Sequence, residues 1–572
     1  MHWLLPQFEA SNLSDTRNYS CSSSEFCHTH CLHGAYSAAG YILTRRKGEE
    51  PRVFEFSSDQ AMAKNIVVCC DGTGNQLGED NSNVIKVYQV LSRDAEKQIA
   101  YYHPGVGTMG AKSALSTAGK WWTRVRGLAF GYGLSDNIAD AYEFLMHNYK
   151  PGDIVYVFGF SRGAYTARAL CGLLQLVGLL FPGNEGQIPY AIRLFKSRRS
   201  DKFRIADSFR STFCNPCRPY FVGVWDTVSS VGWILDPIGL KPGSLPFTFK
   251  LSDVSIVRHA VSIDERRAFF RQNLVQESPG HNVLQVWFAG VHSDVGGSYP
   301  EGEDGLSKIT LRWMLREAKS AGLLLNDAVV SQLLGGDPAY TKPCFQAMQH
   351  NSLTPAWYIG EFWPKRHMKQ EPSAPGDQPK FKAIIRPNLF ARRTIPDGVR
   401  IHDSVVQRQN TVPSYKPRNL PKQYSVEPEP VGYPEYPVHL EVGQPLVAGI
   451  YARPKWNDTS VLVKQGETYR LSATGHWFDA SIKAGPGGYK SPNWWFRLLE
   501  GLRRISRADW FALVVTIGQD LSTAIVPVPK ADAQPATLNV AQDGILHAFA
   551  NDLSWFYGNN SGHVLLTIAR VA

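Results

Sequence analysis

The run Gly159-Phe160-Ser161-Arg162-Gly163 carries the strongest chemical signal in the chain. It follows an apolar stretch, Ile154-Val155-Tyr156-Val157-Phe158, and precedes another that begins at Ala164. A serine on a sharp strand-to-helix turn exposes its hydroxyl. Glycines two residues to either side let strand and helix approach without a Cβ clash. The N-terminus of the following helix then favours negative charge beside that hydroxyl. A simple tight turn would account for the glycines but not for the flanking pattern.

A serine hydroxyl is a weak nucleophile until a base takes its proton and an acid orients that base. After an elbow of this kind the acid and then the histidine follow along the chain. Asp226, at the end of an apolar run over 220–225, and His292, at the end of another over 284–291, fit that order. The expected roles are attack by Ser161, general base and then acid by His292, and imidazole orientation by Asp226. The rival histidine is His402, which reads as lying outside the sheet pattern. His292 could instead cap a loop, Asp294 could be a turn residue, and Asp226 could cap the turn with Thr227. His103 and His259 read as satisfied polar residues. The expected oxyanion donors are the backbone N–H groups of Arg162, after the nucleophile, and of Gly72 and Thr73 in Asp71-Gly72-Thr73-Gly74. Asp71 could alternatively ligate a phosphate or metal, but no lysine-centred phosphate loop accompanies it.

The elements that must position these groups are legible as an alternation of short apolar strands and helical patterns over residues 63–325, the signature of a parallel sheet. Strands are expected at 65–70, 98–103, 153–158, 220–225 and 284–291, and helices at 136–149, 164–180 and 306–321. Four of the five strands run into glycine-rich or polar segments, and the fifth ends at Asp226-Thr227. Ligands of open α/β sheets sit beyond the carboxyl ends of the strands, so these ends point to one shared site. The expected fold class is α/β, an α/β-hydrolase with a mostly parallel sheet, followed by a C-terminal all-β sandwich. Residues 1–62, rich in Ser, Cys and His, read as a disordered tail. Residues 63–412 read as the hydrolase domain, with 326–408 an irregular extension rich in Pro, Arg and aromatics. Residues 413–439 read as a linker, and 440–572 as the sandwich, with short strands at 461–463, 468–473, 512–517, 536–540 and 563–568 and an insert over 494–507.

Composition limits the alternatives. The 572 residues are 43% hydrophobic and 19% charged, enough for a sizeable core, and the formal net charge is +10. A basic balance suits anionic partners such as phospholipid headgroups. The basic residues form no long run, so no nucleic-acid partner is expected. Nine cysteines in so long a chain are not a small disulfide scaffold. Cys69 and Cys70 read as buried hydrophobes, Cys214 and Cys217 as a lone CxxC without a second pair, and Cys21, Cys27 and Cys31 beside His28, His30 and His33 as part of a solvated tail, with metal binding there the alternative. No apolar run is long enough to span a membrane, and the start of the chain lacks a Sec signal pattern.

Together, Asp71-Gly72-Thr73-Gly74-Asn75, the elbow extended through Ala164-Tyr165-Thr166-Ala167-Arg168, Trp225-Asp226-Thr227-Val228 and His292-Ser293-Asp294-Val295-Gly296-Gly297 resemble the DUF2235 family. That family includes type VI secretion lipase effectors of the first Tle family. His350-Asn351-Ser352-Leu353 and Ile401-His402-Asp403-Ser404-Val405 extend the resemblance to about residue 420. The resemblance implies phospholipase A activity with no catalytic cofactor. It also implies an antibacterial role, action at a membrane after secretion without a Sec signal, and an immunity protein or secretion-system component as partner; a cytoplasmic location is the alternative. The C-terminal run from Asn551 to Gly562, with Gly475-His476-Trp477-Phe478-Asp479, resembles the PA-IL type bacterial lectin. This implies a Ca²⁺ site from Asp552, Asn559 and Asn560 with the carbonyls of Asp479 and Phe556, and a carbohydrate partner. The sugar-gripping His and Gln of that lectin have no match near Lys490-Ser491-Pro492-Asn493. Trp494, Trp495 and Phe496 beside Arg497, Arg503 and Arg504 could instead form an interfacial helix or packed core. The expectation is thus a serine esterase acting on phospholipids. The alternatives are an esterase guided to glycans by its sugar-binding module, and a non-catalytic carbohydrate- or membrane-binding protein.

Overall fold

A computed structural model describes residues 63–572 apart from 73–77, 79, 106–133, 198, 229–247, 278–279, 363–364, 371–380, 430–436 and 528–534, with three short strands before residue 62. Those three, His33–Tyr36, Tyr41–Arg45 and Arg52–Glu55, pair as an antiparallel meander. They fall within the stretch 1–62 that the sequence reads as a tail. Met1–Met62 and Ala63–Ala572 form separate compact units.

Eight strands make the main sheet of the larger unit: β1 (Asn65–Cys70), β2 (Gln98–His103), β3 (Ile154–Phe160), β4 (Phe221–Trp225), β5 (Ile256–Ser262), β6 (Asn282–Phe288), β7 (Val399–His402) and β8 (Tyr424–Glu427). Their order is β8-β7-β6-β5-β4-β3-β1-β2, and every neighbouring pair is parallel. The chain turns outward from β1 to β2 and then returns to build the other side from β3. The sheet's switch point therefore lies between β1 and β3.

Burial on both faces explains the uniform apolar character of the central strands. Along β1, Ile66, Val68 and Cys70 join a core with α2 (Leu134–Asn148) and α3 (Arg162–Val177). Val67 and Cys69 point the other way, into a core with α1 (Asn83–Val90) and with the later helix Gly305–Ser320. Cys70, Cys214 and Cys217 are buried free thiols, and burial pushes the Cys70 thiol up to about 12. The cysteines expected in the tail lie outside the described residues.

Three strands of this sheet depart from the sequence expectation. β5 was not anticipated because Arg258 and His259 break its apolar run. Both are held by polar partners, Arg258 by Glu317 (2.6 Å) and His259 by Gln285 (3.2 Å). β7 ends in His402, which therefore lies within the sheet. β8 falls in the stretch expected to be a linker. Tyr424–Glu427 instead pairs residue for residue with Val399–His402, despite its mostly exposed side chains.

Beyond residue 437 two sheets face each other. One has the order β9-β11-β16-β14, from Val438–His439, Asn457–Val463, Gly544–Ala550 and Leu513–Ile517. The other is β10-β17-β12-β13, from Pro445–Tyr451, Asn560–Arg570, Thr468–Asp479 and Ile482–Ala484, with β15 (Ala536–Asn539) also on β12. Ile450, Val461, Tyr469, Trp477, Val515 and Leu566 fill the space between them, and the Trp477 indole donates to the Phe511 carbonyl. This sandwich touches the α/β region directly: the Tyr451 hydroxyl donates to the Ala339 carbonyl (2.6 Å), and Arg453 pairs with Glu303 (3.4 Å).

Candidate active site

Ser161 joins β3 to α3 with φ 59° and ψ −119°, a backbone region that side chains rarely adopt. Two glycines make the turn possible. A Cβ on Gly159 would lie 2.6 Å from the Gly163 carbonyl oxygen, and one on Gly163 would lie 2.1 Å from the Cys70 carbonyl oxygen. The second contact seats the start of α3 against the end of β1, at the switch point. Deeper in α3, the buried Arg168 donates to the carbonyls of Thr248, Asn273 and Leu274 and so ties the helix to the chain after β4.

The structure brings Ser161, His292 and Asp226 together. His292 Nε2 lies 2.8 Å from Ser161 Oγ, and Nδ1 lies 2.5 Å from Asp226 Oδ2. Ser161 keeps 9% of its surface exposed, while His292 keeps 3% and Asp226 none, so the hydroxyl is the member most open to a substrate. His292 is not a strand residue. β6 stops at Phe288, and His292 opens the short helix His292–Gly296, capped by Asp294 through the Val291 N–H (2.9 Å). Its ring sits between Phe160 (4.6 Å) and Phe270 (4.8 Å). Gly296 is required for this, since a Cβ there would overlap the Phe160 ring. Burial lowers the proton affinity of His292 and Asp226 opposes it; the balance stays below the ordinary value. The buried imidazole is thus neutral at neutral pH and can accept a proton from Ser161 Oγ.

Arg393 and Glu265 complete the site, and neither carries a local sequence signal. Arg393 grips Asp226 with both guanidinium nitrogens, Nη1 to Oδ1 at 2.5 Å and Nη2 to Oδ2 at 3.0 Å. The Ser262 N–H adds a third bond to Oδ1 (3.0 Å). Burial alone would raise the Asp226 carboxyl, but Arg393 and His292 hold it far below the usual carboxylate range. Glu265 accepts the His292 N–H (3.2 Å), two bonds from the Arg267 guanidinium and the Ser352 hydroxyl. It too is opposed by burial, and Arg267 holds it down to about 2. Arg267 in turn lies 3.5 Å over the Phe270 ring that packs on His292. No spacing rule marks Arg393 within Ala391-Arg392-Arg393-Thr394; only the fold brings it to Asp226.

The remaining candidates divide. Arg162 is the first residue of α3, where helix N–H groups gather. The Gly72 N–H donates to Asp71 Oδ1 (2.6 Å), so that donor is engaged by a neighbour. Thr73 lies outside the described residues. Asp71 also accepts the hydroxyls of Ser82 (2.5 Å) and Tyr102 (2.8 Å), a structural set. His402 Nδ1 meets Ser404 Oγ (2.9 Å), its ring stacks on Phe288, and Ser161 is not among its contacts. Asp294, besides capping, holds His350 Nδ1 (2.6 Å); His350 Nε2 reaches Glu303 (2.9 Å), the carboxylate that Arg453 approaches from the sandwich. Burial works against the charged imidazole, yet the two carboxylates raise His350 to about 9.

In the sandwich, Asp479, Asp552, Asn559 and Asn560 gather at one end of β12 and β17. Asn559 donates to Asp479 Oδ1 (2.7 Å), Asn560 to Asp552 Oδ2 (3.1 Å), and the Tyr489 hydroxyl to Asp479 Oδ2 (2.5 Å). The buried Asn560 Oδ1 has no hydrogen-bond partner among the described residues. Burial, with Asp479 adding its charge, pushes Asp552 up to about 6. Among the described residues no group of three or more His, Cys, Asp or Glu side chains is arranged for a metal; this cluster has two carboxylates. The Phe556 side chain is exposed.

Fold and site define an α/β protein with a serine–histidine–aspartate chain at a strand-to-helix elbow. Residues 64–317 match the family model described as the catalytic domain of the Tle1-like phospholipase effectors of type VI secretion. An uncharacterized protein of Saccharomyces cerevisiae is 35% identical over 257 residues, 42% of this chain and 36% of that protein. The chain thus spans about a third of the length of that curated relative. Three solved structures are similar at low TM-scores. One is an uncharacterized protein from Pseudomonas aeruginosa (22% identity, 47% of each chain, TM-score 0.26). Another is the Tle1 effector bound to the VgrG spike of the type 6 secretion system (15% identity, 64% of this chain, 99% of that chain, TM-score 0.30). The third is a PllA-like lectin, the N-terminal domain of EclA (17% identity, 22% of this chain, 94% of that chain, TM-score 0.16).

Proposed function

We propose that the chain is a serine hydrolase that cleaves acyl esters of phospholipids, with Ser161, His292 and Asp226 as its triad. The observation that carries this reading is the unbroken hydrogen-bonded path from Ser161 Oγ through His292 to Asp226. Phospholipids as substrate rest on the family model matched by residues 64–317. Ser161 Oγ attacks the ester carbonyl as His292 Nε2 takes its proton. The Arg162 N–H at the start of α3 stabilises the oxyanion. The tetrahedral intermediate expels the lysolipid alcohol, which receives the proton from His292. Water, deprotonated by the same imidazole, then attacks the acyl-enzyme, and His292 returns that proton to Ser161 Oγ as the fatty acid is released.

Labelling with a fluorophosphonate tests the nucleophile. An adduct on Ser161, absent in Ser161→Ala, is expected; no adduct would leave a binding protein. A panel of phospholipids and acetylated sugars tests the substrate. Fatty acid release is expected, whereas acetate release alone would favour a glycan esterase.

The same reading includes delivery by a type VI secretion system, with a spike component as carrier and an immunity protein in producing cells. No helix among the described residues is long and apolar enough to cross a membrane. We further propose Ca²⁺ held by Asp552, Asn559 and Asn560 with the carbonyls of Asp479 and Phe556, and carbohydrate as a ligand of the sandwich. The buried Asn560 Oδ1, without a hydrogen-bond partner among the described residues, and the Asp552 carboxylate suit a hard cation with oxygen ligands.

A further inference from the structure

The insert that interrupts the sandwich strands presents an apolar stripe to solvent. Asn493 caps the helix Trp494–Leu499 by accepting the Phe496 N–H (3.2 Å), and a 3-10 turn, Glu500–Leu502, continues it. At about 100° per residue, Trp494 and Leu498 share one face and Phe496 lies opposite. Phe496 is the inward residue, packed edge-on against the buried Trp510 at 5.1 Å. Trp494, Leu498 and Leu502 are left 61%, 65% and 51% exposed.

A second exposed apolar pair stands beside the end of this stripe. Arg503 bridges Leu553, and the Arg504 N–H donates to the Asp552 carbonyl (3.2 Å), which places the loop carrying Trp555 and Phe556 next to Leu502. Trp555 is 66% exposed and Phe556 56%. Five large apolar side chains thus stand out of one end of the sandwich. Basic charge predominates around them: residues 490–509 carry five basic side chains against Glu500 and Asp509. Lys490, Arg497 and Arg507 are exposed, while Glu500 is half-buried and bonded by the Ser491 hydroxyl.

We propose that this face docks the protein on an anionic lipid surface, inserting Trp494, Leu498, Leu502, Trp555 and Phe556 at headgroup depth while Lys490, Arg497 and Arg507 meet the acidic headgroups. An apolar face rimmed by cations is the arrangement that lies in a membrane interface, and tryptophan is well suited to that depth. The basic rim selects lipid over a second copy of the same face, since two copies would oppose like charges. Docking is independent of hydrolysis and does not require the proposed triad.

The test is sedimentation of the full chain, carrying Ser161→Ala so that lipid stays intact, with vesicles of phosphatidylglycerol or of phosphatidylcholine. Binding to phosphatidylglycerol, weakened by salt, is expected. Trp494→Ser with Leu498→Ser and Leu502→Ser should weaken it by about tenfold or more. Lys490→Glu with Arg497→Glu, which leaves the apolar stripe intact, should remove the preference for phosphatidylglycerol. Circular dichroism matching the parent validates each variant. Equal binding by parent and both variants, no vesicle binding, or self-association abolished by the serine variant would overturn the proposal. Ser161 labelling in the otherwise unaltered chain reads the hydrolase proposal separately.

Discussion

Arg393 clasps Asp226 through two buried guanidinium bonds, so the carboxylate that faces His292 on one side is neutralised on the other. Paired this way, Asp226 is fixed in place as an acceptor for the Nδ1 proton of His292, but its charge is partly spent. Arg393 thus competes with His292 for the Asp226 charge while fixing the carboxylate that orients the ring.

Replacing Arg393 by Gln separates these effects. The groups facing the imidazole are Asp226, Glu265 and Arg267. With the guanidinium gone, the Asp226 charge acts on His292 undiluted and its proton affinity rises. The acid limb of the kcat/KM profile is expected to move to higher pH. A merely structural residue would lower the plateau and leave that limb in place. Leaving the buried Asp226 charge without its cation should also cost about 3–5 kcal/mol of stability, read by urea unfolding.

Asp226→Asn keeps the shape of the side chain but presents an amide to His292. Turnover of a soluble ester is expected to fall about ten-thousandfold. A loss smaller than tenfold would remove Asp226 from the mechanism.

Gly163→Ala forces a methyl to within 2.1 Å of the Cys70 carbonyl oxygen, backbone that cannot yield cheaply. Destabilisation of about 1–3 kcal/mol or more is expected. Loss of Ser161 labelling should accompany it, because α3 can no longer seat against β1.

His350 sets a stability window at alkaline pH. Its folded value is raised to about 9 by Asp294 and Glu303 against burial, above an unfolded value near about 6.5. A raised value contributes stability that is complete below about 6.5 and is lost as pH climbs through 9. Melting temperature should decline over that interval, and His350→Gln should flatten the decline. The effect is on the order of 3 kcal/mol.

The Ca²⁺ site proposed for the sandwich is expected to weaken below pH 6, because Asp552, pushed up to about 6, would take a proton in place of the cation. Titration calorimetry at pH 5 and 7, with Asp552→Ala as control, checks this.

The elbow, and the aspartate and histidine whose side chains meet its serine, were legible because each is a local signal: glycines around a serine, and polar residues closing apolar runs. The central strands were legible for the same reason, since burial on both faces leaves an uninterrupted apolar run. β5 was hidden because Arg258 and His259 are satisfied by Glu317 and Gln285, partners remote in sequence. β8 was hidden because an exposed edge strand needs no apolar face. Arg393 and Glu265 were invisible for a third reason: a buried ion pair leaves no periodicity, and only the assembled fold supplies the other half.

Tyr424–Glu427 alters how the chain can be divided. A cut at residue 412, where composition alone would separate enzyme from appendage, strips the sheet of its outermost member and bares the peptide groups of Val399–His402. Such a raw border invites pairing with stray chains. An excised catalytic fragment should therefore be carried past Glu427 if it is to stay dispersed in solution.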